Sequence, residues 1–252
     1  MTPPHSNGEA RCFASSLCNR PFALEIKRKI KKIKTMAKKS NQFSVFGTRP
    51  DNAICLPDIP YSVRLNCKDG GLFVGGYEAQ HRKTNPDQKI DISIIKVSKY
   101  FGTLGKTENV LWLQLFFVAA PGVDSSILPQ NTVCCSYIKK QSIAHLFNKV
   151  QEVMEHGDPG MGIFTLGFNR EVGENGVYYT VSFDWKERES EAEKEQLNLI
   201  AAFMSAYKEQ LIDIEGIRDL TCVDGWTAQQ LQGLTAQRIE LAGSSTRSLP
   251  AA

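Results

Sequence analysis

Carboxylates and histidines are the residues of this 252-residue chain that could hold a metal ion or carry a reaction. Asp184, Glu187 and Glu189 cluster near the end of a predicted strand, a place where nucleases hold metal ions. No lysine or second carboxylate pair accompanies them at a recognisable spacing. His145 and His156 share one predicted helix, on which a separation of eleven residues corresponds to about 16 Å, so one metal ion cannot bind both. The sequence therefore predicts no metal site, and both histidines are expected on the surface of the helix.

Nucleophilic and phosphate-binding motifs are missing from the sequence. It contains no Gly-x-Ser-x-Gly motif and no Walker or dinucleotide pattern, and the paired glycines at Gly70 and Gly75 fall in a predicted hairpin. We therefore predict no catalytic residues and no cofactor. A metal-dependent nuclease ranks only third among the functional hypotheses.

Seven cysteines are an odd number, and no two of them form a Cys-x-x-Cys pair. Cys134 and Cys135 are adjacent, so on a strand their side chains point to opposite faces. This pattern predicts reduced thiols and a cytoplasmic protein. No apolar run reaches the roughly 18 residues that a membrane-spanning helix needs, so we expect no membrane association.

Basic and aromatic side chains outside the apolar stripes could bind a single nucleic-acid strand through its phosphates and bases. Tyr178 is the clearest aromatic candidate, because Thr180, Ser182 and Asp184 share its face of the strand. Phe101, Trp112 and Tyr137 are further aromatic candidates, and a core position is the stronger alternative for Trp112. The predicted nucleic-acid-binding residues are Lys96, Lys99, Tyr100, Lys106, Lys139, Lys140, Arg170 and Tyr178.

Charge is unevenly distributed along the chain, although the net charge is only +3. Residues 60–149 carry eleven basic against six acidic residues, whereas residues 150–252 carry eight against seventeen. Such asymmetry often accompanies binding to a polyanion, but acidic residues on solvated helix faces would produce it too.

The N-terminal segment is basic, with eight Lys and Arg against two Glu over residues 1–35. Ile26, Ile30 and Ile33 form one stripe of a basic helix, which is typical of a nucleic-acid or membrane-surface arm. Alternatively, Met36 is the natural start and the preceding residues are upstream sequence. In that case the remainder has a net charge of −3 and the argument for a basic arm disappears.

The order of elements between Lys89 and Trp185 predicts the fold class. Three strand-like runs precede one amphipathic helix from Ser142, in which Phe147 and Val150 should be buried, and two more strands follow it. The apolar stripe of the strand Ile90–Tyr100 crosses to the other face at Ile95, and a turn over 102–109 follows. Val110–Ala119 is apolar on both faces and should be a central strand. The predicted fold is α+β, with a barrel-like, mostly antiparallel sheet of β-β-β-α-β-β order and a C-terminal helical segment.

Four regions are predicted along the chain. Residues 1–40 form a disordered basic extension, residues 41–188 a barrel-like β domain with one inserted helix, residues 189–242 C-terminal helices packed on it, and residues 243–252 a disordered tail. Ser190 and Glu193 form a capping box for a long helix, and Thr227 is the expected cap of another over 228–241. The predicted buried stripe of the long helix is Ala192, Leu197, Ile200, Ala201, Phe203, Met204, Tyr207 and Leu211.

This element order resembles the OB-fold single-stranded DNA-binding proteins of phages, plasmids and bacteria, which implies binding of a strand across one sheet face. Short segments are also similar to an uncharacterised family of cyanobacterial and phage proteins, which implies no activity. These segments are Leu56-Pro57, Gly71-Leu72-Phe73 and Phe116-Phe117-Val118.

Two functional hypotheses follow. The first is sequence-tolerant binding of single-stranded DNA or RNA in replication, recombination or mobile-element biology. The alternative is a non-enzymatic protein–protein adaptor or structural component of a phage or plasmid system, with the acidic helix from Ser190 as its contact surface. An oligomer is compatible with either hypothesis.

Overall fold

The structure is a computed structural model, and it describes residues 53–57, 60–75, 80–174, 176–207, 219–227 and 229–233. The chain divides into two compact units, Met1–Pro50 and Asp51–Ala252, and every described residue belongs to the second. The predicted N-terminal extension, the Met36 start and the predicted tail lie outside the described residues. Among the helices that are described, none is both long and apolar enough to cross a membrane.

Nine strands, two α-helices and the helical residues 229–233 are the main elements of the described part of the second unit. A single 3-10 turn, Pro159–Met161, lies between the first helix and the strand that follows it. The elements are β1 Tyr61–Asn66, β2 Gly71–Val74, β3 His81–Arg82, β4 Ile90–Leu104, β5 Thr107–Ala119, β6 Cys134–Lys139, α1 Gln141–Met154, β7 Ile163–Gly173, β8 Gly176–Lys186, α2 Glu191–Tyr207 and β9 Leu220–Cys222.

All nine strands belong to one mostly antiparallel sheet. Its order is β3-β2-β1-β6-β5-β4-β7-β8, and β9 pairs with β4 outside this path. The pairing of β1 with β6 is parallel, with Tyr61 opposite Cys134. These features confirm the predicted α+β class and its mostly antiparallel sheet.

The predicted element order from Lys89 to Trp185 is confirmed, because β4, β5, β6, α1, β7 and β8 follow one another as expected. The β5 strand lies inside the sheet, and successive residues Phe116 and Phe117 are both buried, on opposite faces. The crossover of the apolar stripe in β4 is a register shift between Ile94 and Lys96. The predicted turn over 102–109 is shorter, because Gly105 and Lys106 alone join β4 to β5.

The sheet is open in the described residues, so a closed barrel is not confirmed. The end strands β3 and β8 do not pair with each other, and β6 uses its second edge to pair with β1. The sheet is nevertheless curved enough for the Tyr179 N–H of β8 to donate to the Cys67 carbonyl just after β1, at 2.7 Å. The Tyr179 ring also lies on Gly70, where a Cβ atom would come within 2.7 Å of the ring.

The larger hydrophobic core lies on the face of the sheet that α1 covers. Leu146 is buried in this core, whereas Phe147 and Val150, predicted to be buried, are half-buried at its margin. Leu115 and Phe117 of the central strand lie in the same core.

The α1 helix also covers the outer edge of β8. The Val181 N–H donates to the Ser142 Oγ at 3.0 Å, and the His145 Nδ1–H donates to the Val181 carbonyl at 3.0 Å. His145 was expected on the helix surface. It is half-buried instead, because its ring hydrogen-bonds to the edge of β8 at which a neighbouring strand could otherwise pair.

The smaller core lies on the opposite face, where Ile200 and Phe203 of α2 pack against Phe116. The predicted capping box is confirmed: the Glu193 N–H donates to the Ser190 Oγ at 3.3 Å, and the Ser190 N–H donates to the Glu193 carboxylate at 2.9 Å. The buried stripe differs from the predicted one, which included Ala201 and Tyr207. Both of these are exposed.

The buried side of α2 also contains a polar residue, Gln196, which the predicted stripe did not include. Its amide donates to the Ala119 carbonyl at 2.8 Å and accepts a hydrogen bond from the Ser93 hydroxyl at 3.0 Å. A polar residue that is hydrogen-bonded in this way can be buried without a large penalty.

The segment after β9 confirms the predicted cap at Thr227. The Gln230 N–H donates to the Thr227 Oγ1 at 3.4 Å, and residues 229–233 are helical. The rest of the predicted helix, through residue 241, lies outside the described residues.

Candidate nucleic-acid interface

A groove lies between the β4–β5 hairpin and the first turn of α1. Its volume is about 490 Å³. Phe101 and Leu111 pair across the two strands, and both line this groove together with the first turn of the helix. The full set of described lining residues is Phe101, Asn109, Val110, Leu111, Lys140, Ile143 and Ala144.

One lysine lines this groove and a second lies close to it. Lys140 belongs to the lining at the start of α1. The Lys99 Nζ lies 5.5 Å from the ring centroid of Phe147, which is one helical turn beyond Ile143. An apolar groove with two cations close to it suits a ligand with an apolar body and neighbouring negative charges.

Two further lysines, Lys139 and Lys106, lie at the end of the sheet that contains the β4–β5 turn. The Lys139 Nζ donates to the Thr107 hydroxyl at 2.6 Å and lies 5.1 Å from the ring centroid of Trp112. Lys106 precedes Thr107 in the hairpin turn and is exposed. Burial and then the charge of Lys140 lower the pKa of the Lys139 ammonium, and the nearby Cys67 acts in the opposite direction. A bound anion would favour the protonated form again.

The N-terminus of α1 faces this cluster without a capping side chain. Lys140 occupies the cap position, no side chain caps the helix there, and its first turn contains no acidic residue. Helix N-termini carry partial positive charge from their unpaired N–H groups, so this end of α1 adds to the attraction for an anion.

Two residues of the groove lining have left-handed backbone angles. Asn109 has a φ of 52°, and Lys140 has a φ of 50° with a ψ of −122°. Asparagine tolerates such angles, whereas a lysine there costs on the order of 1–3 kcal/mol. Strained residues cluster at binding sites because a ligand needs them in that geometry.

The Lys140→Gly variant should unfold with a free energy about 1 kcal/mol higher than that of Lys140→Ala. Glycine adopts the left-handed angle without the Cβ clash, and its greater freedom in the unfolded chain offsets only part of this gain. Equilibrium unfolding in urea measures the difference. Both variants remove the same charge, so equal stabilities would show that the backbone at position 140 is not strained.

Tyr178 lies next to the start of α1. Its side chain is 39% exposed, and its hydroxyl is 3.5 Å from the Gln141 Oε1. Tyr178 therefore lies close to Lys140 in space. Arg170 is exposed opposite Tyr179 in the β7–β8 hairpin, and no contact links it to the groove.

Tyr100 was predicted to be accessible, and this is wrong. It is only 3% exposed, its ring contacts Tyr137 edge-on, and it pairs with Cys222 of β9. Phe101 and Trp112 are also buried. Of the other aromatic candidates, Tyr137 is half-buried.

Lys96 is separate from the groove. It is half-buried and pairs with Phe116, whose face of the sheet is covered by α2. The structure thus places Lys140 in the groove, with Lys99 and Tyr178 close to the same helix. Lys106 and Lys139 lie at the same end of the sheet, but Lys139 pairs with Trp112 and shares its face, opposite the face of Leu113. Lys96, Tyr100 and Arg170 are apart from the groove.

Asn109 and the helix residues Ile143 and Ala144 belong to the groove but were not predicted as site residues. A polar residue just after a hairpin turn looks like part of the turn, and Ile143 looks like an ordinary core position. An Asn three residues after the Gly105–Lys106 turn, a residue type that tolerates left-handed backbone angles, is the one sequence signal that could have identified the groove.

Two other groups considered for chemistry are the carboxylates near Asp184 and the cysteines. Asp184 pairs with Lys89 at 3.0 Å, and no cluster of three metal-ligating side chains occurs in the part of the chain that is described. The five described cysteines form no disulfide with one another.

The acidic helix of the adaptor hypothesis is α2. Glu191 and Glu195 are exposed on it, whereas Glu193 is engaged in the capping box.

Models of known protein families, curated protein sequences and solved structures were compared with the chain, and none of them matches it.

Proposed function

We propose that this protein binds single-stranded DNA or RNA with little dependence on sequence, in replication, recombination or mobile-element biology in the cytoplasm. The groove between the β4–β5 hairpin and α1, with Lys140 in its lining and Lys99 over the nearby Phe147, is the observation that carries the proposal. Lysines bind phosphates, and an apolar surface between them accepts bases, which is the combination that single-strand binding proteins use.

The arrangement of the core supports the same proposal. The β-β-β-α-β-β order is that of an OB-type barrel, and we propose that β4 to β8 form a partly open version of it. In such barrels a strand of nucleic acid crosses one face of the sheet and the adjoining loops.

Acidic residues near the groove reduce its positive charge only in part. Glu108 is exposed beside Asn109, and the Asp224 carboxylate accepts a hydrogen bond from the Lys99 N–H at 2.6 Å. Asp219 is exposed as well, and its carbonyl accepts a hydrogen bond from the Thr103 N–H at 2.8 Å, close to Phe101 of the lining. These carboxylates oppose the lysines and the N-terminus of α1.

Binding of a short single-stranded oligonucleotide should weaken steeply with salt. Each phosphate that is neutralised contributes a slope of about −0.7 to the logarithm of affinity against the logarithm of salt, so four lysines give about −3. Fluorescence anisotropy with oligo-dT and oligo-U over a range of potassium chloride measures this slope, and a duplex of the same length is the comparison. A protein that does not bind either strand at low salt would contradict the proposal.

The adaptor hypothesis is favoured by a different surface. Glu191 and Glu195 are exposed on α2, and neither contributes to the hydrophobic core beneath the helix. A protein partner would recognise this helix by its negative charge, and the two charge reversals Glu191→Lys and Glu195→Lys would abolish that contact. Under the nucleic-acid proposal, the same reversals leave the salt slope unchanged.

A further inference from the structure

We infer that the groove between the β4–β5 hairpin and α1 holds one unstacked nucleobase, whose flanking phosphates are bound by Lys99 and Lys140 and whose edge meets the Asn109 amide. The inference rests on the proposed function and assigns it a particular subsite. A nucleobase is a flat, largely apolar ring with polar groups on its edge, and the groove offers a matching combination.

Size and lining support a base as the occupant. The volume of about 490 Å³ falls in the range of small-molecule sites and can hold a nucleobase with part of its sugar. Phe101, Leu111 and Ile143 provide apolar walls, which can contact the faces of a base but not its edge. A phosphate alone would find little in such a lining.

Asn109 is the one uncharged polar side chain among the described residues of the lining. In the described part of the chain its amide has no hydrogen-bond partner. An amide carries both donors and an acceptor, so it can hydrogen-bond to the edge of a base. Few, well-placed polar groups in an apolar site are typical of ligand pockets.

Charge complementarity argues for a nucleotide strand over a neutral apolar ligand. Lys140 lines the groove and Lys99 lies over Phe147, one helical turn beyond the lining residue Ile143, so a base in the groove has two cations close to it. Successive phosphates of a strand likewise lie close to each base. The left-handed backbone at both Asn109 and Lys140 is consistent with a pre-formed site.

A groove-filling variant tests the inference. Ala144 is exposed on α1 and lines the groove, so Ala144→Leu occupies the space of the base while preserving every lysine. Leucine is nearly as good a helix former as alanine, which keeps the fold intact. Ala202→Leu, the same change at an exposed position of α2, is the matched control.

The probes are a fluorescein-labelled oligo-dT and an abasic oligonucleotide with the same number of phosphates. We expect wild type and Ala202→Leu to bind oligo-dT more tightly than the abasic strand. Ala144→Leu should bind oligo-dT about tenfold more weakly, within the usual range for one bound base, and bind the abasic strand as wild type does. Asn109→Gly, which keeps the left-handed angle, should weaken oligo-dT binding about fivefold and spare the abasic strand.

The outcomes distinguish a failure of the base-binding groove from a failure of single-strand binding itself. If wild type binds oligo-dT and Ala144→Leu binds it equally well, the base-binding groove is wrong and the proposed function stands. If wild type binds the abasic strand as tightly as oligo-dT, binding is by phosphates alone and the groove is again wrong. If wild type binds neither probe at low salt, both proposals fail.

Discussion

The Arg188→Ala variant should lose about 3 kcal/mol of unfolding free energy, the largest effect that we expect from a change outside the hydrophobic cores. The guanidinium donates to the carbonyls of Met161, Gly162 and Glu193 at 3.0 Å each. It also donates to the Ser93 hydroxyl at 2.8 Å and to the Gln196 Oε1 at 3.5 Å. One half-buried side chain thus joins the start of α2 to β4 and to the loop before β7.

The physical reason for this loss is that truncation leaves several acceptors without a donor. Hydrogen bonds from a charged donor contribute more than neutral ones, and an unpaired buried acceptor carries a desolvation penalty of its own. Burial lowers the pKa of the Arg188 guanidinium, and the charge of Glu193 partly offsets this.

Urea unfolding of Arg188→Ala, Arg188→Lys and Arg170→Ala tests this expectation. Lysine has the charge but lacks the planar fork, so Arg188→Lys should lose most of the same stability. Arg170 is exposed, and its removal should change the unfolding free energy by less than about 0.5 kcal/mol. If Arg188→Ala were no less stable than Arg170→Ala, Arg188 would not hold these elements together.

The double variant Lys139→Gln, Lys140→Gly should bind single strands about a hundredfold more weakly at low salt. The two lysines are adjacent at the start of α1, and both charges are expected to neutralise phosphates. Their removal should make the salt slope less steep by about 1.4, which is 0.7 for each phosphate contact. Because Lys140→Gly relieves backbone strain, a loss of folding is not expected to cause the loss of binding.

A second double variant removes the same charge elsewhere. Lys149 and Lys194 form ion pairs with Glu152 and Glu191 on the two helices, at 2.7 and 3.2 Å. Lys149→Gln, Lys194→Gln should leave the salt slope unchanged. Equal losses of affinity in both double variants would indicate a diffuse effect of net charge, and the groove would then have no special role.

Local patterns were sufficient to predict most of the elements. Alternation along β7 and β8 and the two apolar faces of β5 identify strands because side chains on a strand alternate between faces. Ser190 and Thr227 identify helix starts because a hydroxyl can satisfy a free N–H within three residues along the chain. These signals need no knowledge of distant residues.

Contacts between distant residues account for what the sequence did not predict. Tyr100 is buried because β9, far along the chain, pairs with it, and nothing in the neighbourhood of Tyr100 indicates that partner. The parallel pairing of β1 with β6 is equally non-local, as Tyr61 and Cys134 show. The groove combines residues of β4, β5 and α1, so its lining could be listed only once their packing was known.

The contact between α1 and the edge of β8 has a consequence for self-association. Outer strands with unpaired backbone groups promote aggregation, because a strand from another molecule can extend the sheet there. At Val181 both outward groups are already occupied, the N–H by Ser142 and the carbonyl by His145. A second copy could add a strand at this point only by breaking both hydrogen bonds and displacing α1 from the hydrophobic core beneath it.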